Sequence, residues 1–250
     1  MPKIAVFDSG LGSLSVIKSI RKKINAEVIY FADQDNYPYG TKSVNQLDKI
    51  IKSTISKLQE KFDPDIIIVG SNTPSLLLDI EIKNKIIGVF PPLKVVASKT
   101  KTGRVGILGT RSVVKSKSLD KYIKQNVPSK IQVTKINATP LVDLVESGKF
   151  LSKKQVSINI IKKTITPHIE KNIDVFTLSS THLPFLLLIL KELFPNVLFL
   201  DPADSVAQRV SKILKQKKSK ASLKIYASGN IEKFHKRLIK IGIKNKVNLL

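Results

Sequence analysis

The sequence predicts an α/β protein of two pseudo-symmetric lobes, built on mainly parallel sheets, with a site in the cleft between them. Three observations carry that expectation. Short β-branched runs alternate with amphipathic stretches along the whole chain, the pattern of parallel strands joined by helical crossovers. Several of these runs empty into small polar residues, and ligands of such sheets collect just beyond the carboxyl ends of the strands. Two of the strand ends also rhyme: residues 65–75 read DIIIVGSNTPS and residues 174–184 read DVFTLSSTHLP. A repeated plan of this kind places one copy in each lobe.

Taken in order, residues 4–7 (IAVF) form a first strand that ends in Asp8-Ser9-Gly10-Leu11-Gly12. Leu14, Ile17 and Ile20 recur at helical spacing and predict a helix over 13–22. Residues 27–31 (EVIYF) are a second strand, followed by a polar loop over 32–43 with a Tyr37-Pro38-Tyr39-Gly40 turn. Leu47, Ile50, Ile51, Ile55 and Leu58 share one face of a long helix over 45–62. Ile66, Ile67, Ile68 and Val69, bounded by Asp65 and Gly70, read as a strand buried on both faces. A helix over 74–85 and a strand over 85–90 follow, the latter stopped by Pro91-Pro92.

The polar segment 98–103 reads as the crossing between lobes, after which residues 104–108 (RVGIL) restart the pattern and end in Gly109-Thr110-Arg111-Ser112. A helix over 116–125, a strand over 131–136, a short acidic helical turn over 140–147 and a helix over 153–171 come next. Then follow a strand over 174–178, a helix over 183–194 and a strand over 197–199. Asp201-Pro202-Ala203-Asp204 opens another helix as a cap. Residues 223–226 read as the last strand and 231–241 as the last helix. The expected division is a first lobe of residues 1–97 plus 207–250 and a second lobe of residues 98–206.

Composition narrows the function classes. The 250 residues are 42% apolar and 25% charged, ordinary for a soluble globular protein. No apolar run reaches a membrane span, and the N-terminal residues enter a strand at once rather than a signal peptide, so a cytoplasmic protein away from membranes is expected. There is no cysteine, which excludes disulfides, thiolate catalysis and Cys-ligated metal. His168, His182 and His235 have no zinc-site spacing, and Gly10-Leu11-Gly12 is only a fragment of a phosphate loop, so no metal, nucleotide or pyridoxal cofactor is expected. The formal charge of +24 raises nucleic-acid binding as a reading. The excess is almost all Lys, however, with five arginines, and the densest run, 215–224, has no aromatic residues to stack bases. A solvated Lys-rich surface is the favoured reading, and nucleic acid is not expected as a partner.

The loops taken together resemble the glutamate racemases of the aspartate/glutamate racemase superfamily. The family pattern FDSGxGGLSV meets Phe7-Asp8-Ser9-Gly10-Leu11-Gly12-Ser13-Leu14-Ser15-Val16. Tyr30-Phe31-Ala32-Asp33 and Pro38-Tyr39-Gly40-Thr41-Lys42-Ser43 are similar to its YFGD and PYGTKS. Gly106 to Thr110 is similar to its GxxGT, Leu144-Val145-Glu146 to its LVE, and Ser228-Gly229-Asn230 to a C-terminal TGD. The match runs in order over nearly the whole chain. Where the family reads ACNTAS and GCTHYPLL, this chain reads Gly70-Ser71-Asn72-Thr73-Pro74-Ser75 and Ser179-Ser180-Thr181-His182-Leu183-Pro184. Both cysteine positions hold serine. Ser13 and Ala32 in place of glycine, and Asp143 in place of proline, are milder departures.

The resemblance implies a cofactor-independent racemisation, in which a proton leaves one face of a stereocentre and another arrives on the opposite face. Two bases matched to proton transfer near neutral pH are required. Ser71 and Ser180 would occupy their positions, with Asp8 and His182 assisting. Ser9, Tyr39, Gly40, Asn72, Thr73, Thr110 and Thr181 would hold a small acidic amino acid or dicarboxylate; a homodimer is admitted as the assembly. A thiol starts near pKa 8.5, whereas a lone hydroxyl lies nearer the ~15.7 of water. About seven units at roughly 1.4 kcal/mol each is on the order of 10 kcal/mol of added cost, so the thiol mechanism should fail here.

Three readings stay open. The chain is a racemase-type protein with its cysteines exchanged for serine, able to bind but slow. It is a relative in which Asp8, His182 and an activated serine run another isomerase, lyase or hydrolase reaction on a small carboxylate. Or it is a non-catalytic binding or regulatory protein. Structural readings compete at each residue: Ser71 and Ser180 as loop caps, His182 as a hydrogen-bonded loop histidine, Asp8 as a cap for the helix after Gly12. Asp33, Asp35 and Glu146 are assigned to the surface or to a supporting layer.

Overall fold

A computed structural model of the chain describes residues 1–80, 85–214 and 221–250. In chain order its strands are β1 (Lys3–Asp8), β2 (Glu27–Ala32), β3 (Ile66–Val69), β4 (Ile86–Gly88), β5 (Arg104–Gly109), β6 (Gln132–Asn137), β7 (Val175–Ser179), β8 (Leu198–Leu200), β9 (Ser222–Ala227) and β10 (Val247–Leu249). They form two sheets. One has the order β10-β9-β2-β1-β3-β4 and the other β6-β5-β7-β8, and every pairing is parallel. The run β2-β1-β3-β4 and the run β6-β5-β7-β8 have the same topology, which is the expected two-lobed repeat.

Side-chain alternation explains why both faces of each sheet are covered. In β1, Ile4 and Val6 enter one core while Ala5 and Phe7 enter another; in β3, Ile66 and Ile68 divide from Ile67 and Val69 in the same way. The first of these cores is roofed by the helices Leu14–Lys23, Ala203–Ile213 and Ile231–Lys240, the second by the helix Val44–Phe62. The second sheet divides likewise: Leu108, Phe176 and Leu178 point one way, Val105, Ile107 and Val175 the other. Such two-sided burial is what the continuous apolar runs required. Val44–Phe62 starts at a capping box between Ser43 and Gln46 and ends where Asp63 takes a left-handed conformation.

The crossing between sheets is pinned. Asp174 Oδ1 accepts from the hydroxyls of Thr100 (2.6 Å) and Thr102 (3.0 Å), and its Oδ2 accepts from the backbone N–H of Lys101 (2.6 Å) and Thr102 (3.2 Å).

Three expectations need correction. The strand at 223–226 is not the last: β10 pairs beside β9 at the sheet edge, and three residues with Asn248 at their centre carry too little periodicity to announce it. The helix expected over 183–194 is a 3₁₀ turn, Leu183–Leu186, followed by the helix Leu187–Leu193. The helix expected over 74–85 starts earlier, as Asn72–Leu77, and its residues 81–84 lie outside the described residues. Residues 215–220 of the Lys-rich run lie outside them as well. No described helix is long and apolar enough to cross a membrane.

Candidate active site

Each sheet reverses its strand order between two neighbours, β1 and β3 in one and β5 and β7 in the other, and such switch points open a crevice at the carboxyl ends. Register sets these ends level: Phe7 lies opposite Val69, and Gly109 opposite Ser179. The two crevices face one another across a cavity of about 440 Å³, within the size range of small-ligand sites. Asp8 and Ser9 reach it after β1, Tyr39 and Gly40 from the loop after β2, and Ser71, Asn72 and Thr73 after β3. Thr110 reaches it after β5, and Ser180 and His182 after β7. Of the expected site residues only Thr181 does not line the cavity; it is buried behind, where its Oγ1 donates to Asp8 Oδ2 at 3.2 Å.

Ser71 and Ser180 come from different sheets to the same cavity. Ser71 stands at the N-cap position of the helix Asn72–Leu77, yet its side chain makes no cap bond. Among the described residues, neither its hydroxyl nor that of Ser180 has a hydrogen-bond partner. Beside Ser71, Asn72 Nδ2 donates to the Val89 carbonyl at 3.0 Å, which fixes the amide and leaves its Oδ1 buried without a partner among the described residues. A ligand N–H would satisfy that acceptor. The Thr73 and Thr110 hydroxyls lie 3.3 Å apart and join the loops of the two lobes.

Buried charge gathers where Asp8, at the end of β1, approaches His182, after β7. Asp8 is 1% exposed, and its Oδ1 accepts from the Ser9 N–H at 2.7 Å. Burial pushes its carboxyl up to about 6, against the opposing pull of His182 and the Ser9 N–H. Asp8 therefore does not serve as a helix cap. His182 Nε2 lies 2.9 Å from Glu146 Oε2, which also accepts from the Leu11 N–H at 2.9 Å. Burial opposes charge on His182, but the hydrogen bond and charge of Glu146, with Asp8 behind them, raise the imidazole above its ordinary value. For Glu146 burial likewise works against ionisation; the bonds from His182 and Leu11 and the charge of Arg237 outweigh it and hold the carboxyl low. Arg237 Nη1 donates to Glu146 Oε1.

Two glycines make this proximity feasible. A Cβ on Gly12 would lie 2.4 Å from Thr181 Oγ1, 2.7 Å from His182 Nδ1 and 2.8 Å from Asp8 Oδ2; one on Gly10 would lie 2.5 Å from Glu146 Oε2. Gly10-Leu11-Gly12 is thus a close-approach element between lobes, a use invisible when it is read as a piece of a phosphate loop.

Glu146 and Asp33 belong to the supporting layer, whereas Asp35 is exposed. Asp33 accepts from the Tyr39 hydroxyl (3.0 Å) and from Asn36 Nδ2. Sequence reasoning missed Arg237 altogether, and it missed Tyr37, Arg111, Lys115 and Asp143 on the cavity wall. Arg111 follows Thr110 directly, the one local signal that could have included it.

No family model matches the chain. It is 31% identical over 225 residues to a glutamate racemase of Actinobacillus pleuropneumoniae, covering 86% of this chain and 83% of that protein. It is also 31% identical over 242 residues to a glutamate racemase of Limosilactobacillus reuteri, covering 91% and 88%. Among solved structures it superposes on a Bacillus anthracis glutamate racemase isoform with a TM-score of 0.86, 24% identity and coverage of 100% and 97%. An Escherichia coli glutamate racemase, solved with L-glutamate and the activator UDP-MurNAc-Ala, gives 0.83, 25%, and 100% and 98%.

Proposed function

The chain belongs to the glutamate racemase family, and we propose that it holds a small acidic amino acid or dicarboxylate in this cavity while its serines cripple the two-base racemisation. The observation that carries this reading is the placement of Ser71 and Ser180. Each follows a strand at the switch point of its own sheet, both line one cavity, and neither hydroxyl is engaged by another described residue. A cavity reached from both sheets by these two serines, with no cysteine in the chain, supports a binding site without the thiol pair. Replacing a thiol base by a hydroxyl base adds on the order of 10 kcal/mol, more than a buried field supplies on both faces.

The wall chemistry supports the ligand class. Asp8 and the free Asn72 Oδ1 are acceptors suited to an amine, and Thr73, Thr110, Arg111 and Lys115 supply donors suited to carboxylates. L-Glutamate in the E. coli structure, and D-glutamate in a Francisella tularensis glutamate racemase that superposes with a TM-score of 0.80, agree with it.

A second reading has its own observation. Asp8 Oδ2 and His182 Nδ1 both lie within 2.8 Å of one point, the Cβ that Gly12 lacks. An adjacent carboxylate and imidazole, the former titrating at about 6, form an acid–base pair on one side of the cavity, fit for another isomerase, lyase or hydrolase step on a small carboxylate.

The test is α-proton exchange of D- and L-glutamate and D- and L-aspartate in deuterated water, followed by NMR and chiral separation. Binding without exchange is expected. Exchange with inversion contradicts the proposed loss of the two-base route. Exchange with retention, or a new product, selects the one-sided pair.

A further inference from the structure

The helix Ile231–Lys240 packs into the first lobe's core through Phe234 and Leu238, yet one of its side chains reaches the second lobe. Arg237 donates through Nη1 to Glu146 Oε1 and through Nη2 to Gln34 Oε1. Glu146 closes the helix Thr139–Glu146 and holds His182 Nε2 at 2.9 Å. Gln34 Nε2 in turn donates to the Ser9 carbonyl. One guanidinium thus ends two hydrogen-bond chains, one leading to His182 and one to Ser9, and both of those residues line the cavity.

The residue type fits the task. Only five of the 43 basic residues are arginine. A bridge between two acceptors in fixed directions needs the planar fork of a guanidinium, which an ammonium cannot reproduce. Arg237 is also set apart from the surface lysines: its side chain is 20% exposed and lies 5.6 Å from the Phe234 ring. The last-turn position favours a cation through the helix dipole, but that effect requires no contact with the other lobe.

We propose that Arg237 is a positioning residue of the cavity, a strap that fixes the His182 ring through Glu146 and the Ser9 loop through Gln34, so that the strand-end loops of the two lobes are held in register. The proposal rests on His182 being a site residue and not on which ligand the cavity takes. The groups facing His182 are Glu146 and Asp143 from their shared helix and Asp8 with Thr181. Those facing the guanidinium are Glu146, Gln34, Tyr30, Tyr37 and Asp143, with Lys233, Lys236 and Lys240 beside it on its own helix. Removing the guanidinium charge leaves Glu146 less compensated, which favours the imidazolium.

The test is an NMR titration of the imidazoles in the full chain, which has three histidines, with H182Q to assign the resonance. R237A is expected to raise the His182 midpoint by on the order of one unit, and millimolar methylguanidinium should reverse the shift. R237K, which keeps a charge but cannot span both acceptors, should hold the midpoint near that of the parent while the Ser9 and Leu11 amides exchange on the order of tenfold faster. A folded R237A with an unmoved midpoint, or a shift that methylguanidinium does not reverse, overturns the proposal. Should R237A unfold, unchanged amide exchange in R237K overturns it. None of these readouts needs a bound diacid, so failure of the ligand reading is seen separately, as absence of glutamate binding by the parent chain.

Discussion

The loop after β3 and the loop after β7 hold equivalent places in two sheets of the same topology, yet their chemistry differs. After β3 the side chains are neutral: Asn72 is tied to a backbone carbonyl, and Thr73 meets another hydroxyl. After β7, Thr181 engages Asp8 and His182 engages Glu146. The backbone is duplicated; the electrostatics are not. Inversion of a stereocentre requires a competent base on each face. The residues at equivalent strand ends are the two serines, Ser71 and Ser180, and a hydroxyl is a weak base. The charged groups, Asp8 and His182, approach one another beside Gly12.

The largest expected effect comes from making the matched pair strong. S71C/S180C should gain racemisation of glutamate by many orders of magnitude, since the change in base is on the order of 10 kcal/mol. Optical rotation or chiral chromatography reads it, and a folded double variant that stays inert would show that the two strand ends do not act as the opposed bases.

Next in size is D8N, which removes the buried charge at the end of β1. With a carboxyl raised to about 6 from an ordinary 3.8, the folded state holds the proton more tightly than the unfolded state. The associated stability is complete below about pH 4 and is lost as pH rises through about 6. D8N should therefore be more stable than the parent at pH 7 by on the order of 2–3 kcal/mol, with no gain at pH 3.5, as read by urea denaturation at both values. His182, also raised, has the same sign: its contribution is present at acid pH and declines as pH climbs past its folded value. A D8N variant no more stable at pH 7 would mean that the carboxyl end of β1 is solvated rather than buried.

G12A should disturb the charged wall and spare the neutral one. Its methyl would lie within 2.8 Å of Thr181, His182 and Asp8, an overpacking that costs about 1–3 kcal/mol. Thermal denaturation measures the loss. His182 resonances should shift in the same variant, and amides of the Asn72–Leu77 helix should not.

The smallest effect separates the walls most directly. The thiol of S180C, two residues from His182 and on the same loop, should titrate lower than the thiol of S71C, by about one unit. Rates of alkylation against pH give both values, and equal values would erase the asymmetry.

Much of this was legible in the sequence because it is local. Ile66 to Val69 declares a strand buried on both faces, and Asp8-Ser9, Ser71-Asn72-Thr73 and Ser180-Thr181-His182 follow their strands directly, so the strand ends and their cavity could be read together. What stayed hidden is what depends on distant partners. Glu146 looks like an ordinary helical glutamate until Leu11, 135 residues away in sequence, donates to it. Arg237 is separated from Glu146 by 91 residues, and nothing local distinguishes it from a dipole-complementing cation. Gly10 and Gly12 carry meaning only through the side chains that fill the space beside them.

The return of the chain to its first sheet has a temporal consequence. β9, β10 and the helix carrying Arg237 are made after both sets of strands that surround the cavity, and domains assemble in the order in which the ribosome releases them. A nascent chain stopped after β8 has both loops but lacks Arg237, whose guanidinium meets Glu146 and Gln34. The contacts of Arg237 with Glu146 and Gln34 can therefore form only after both strand-end loops have been made.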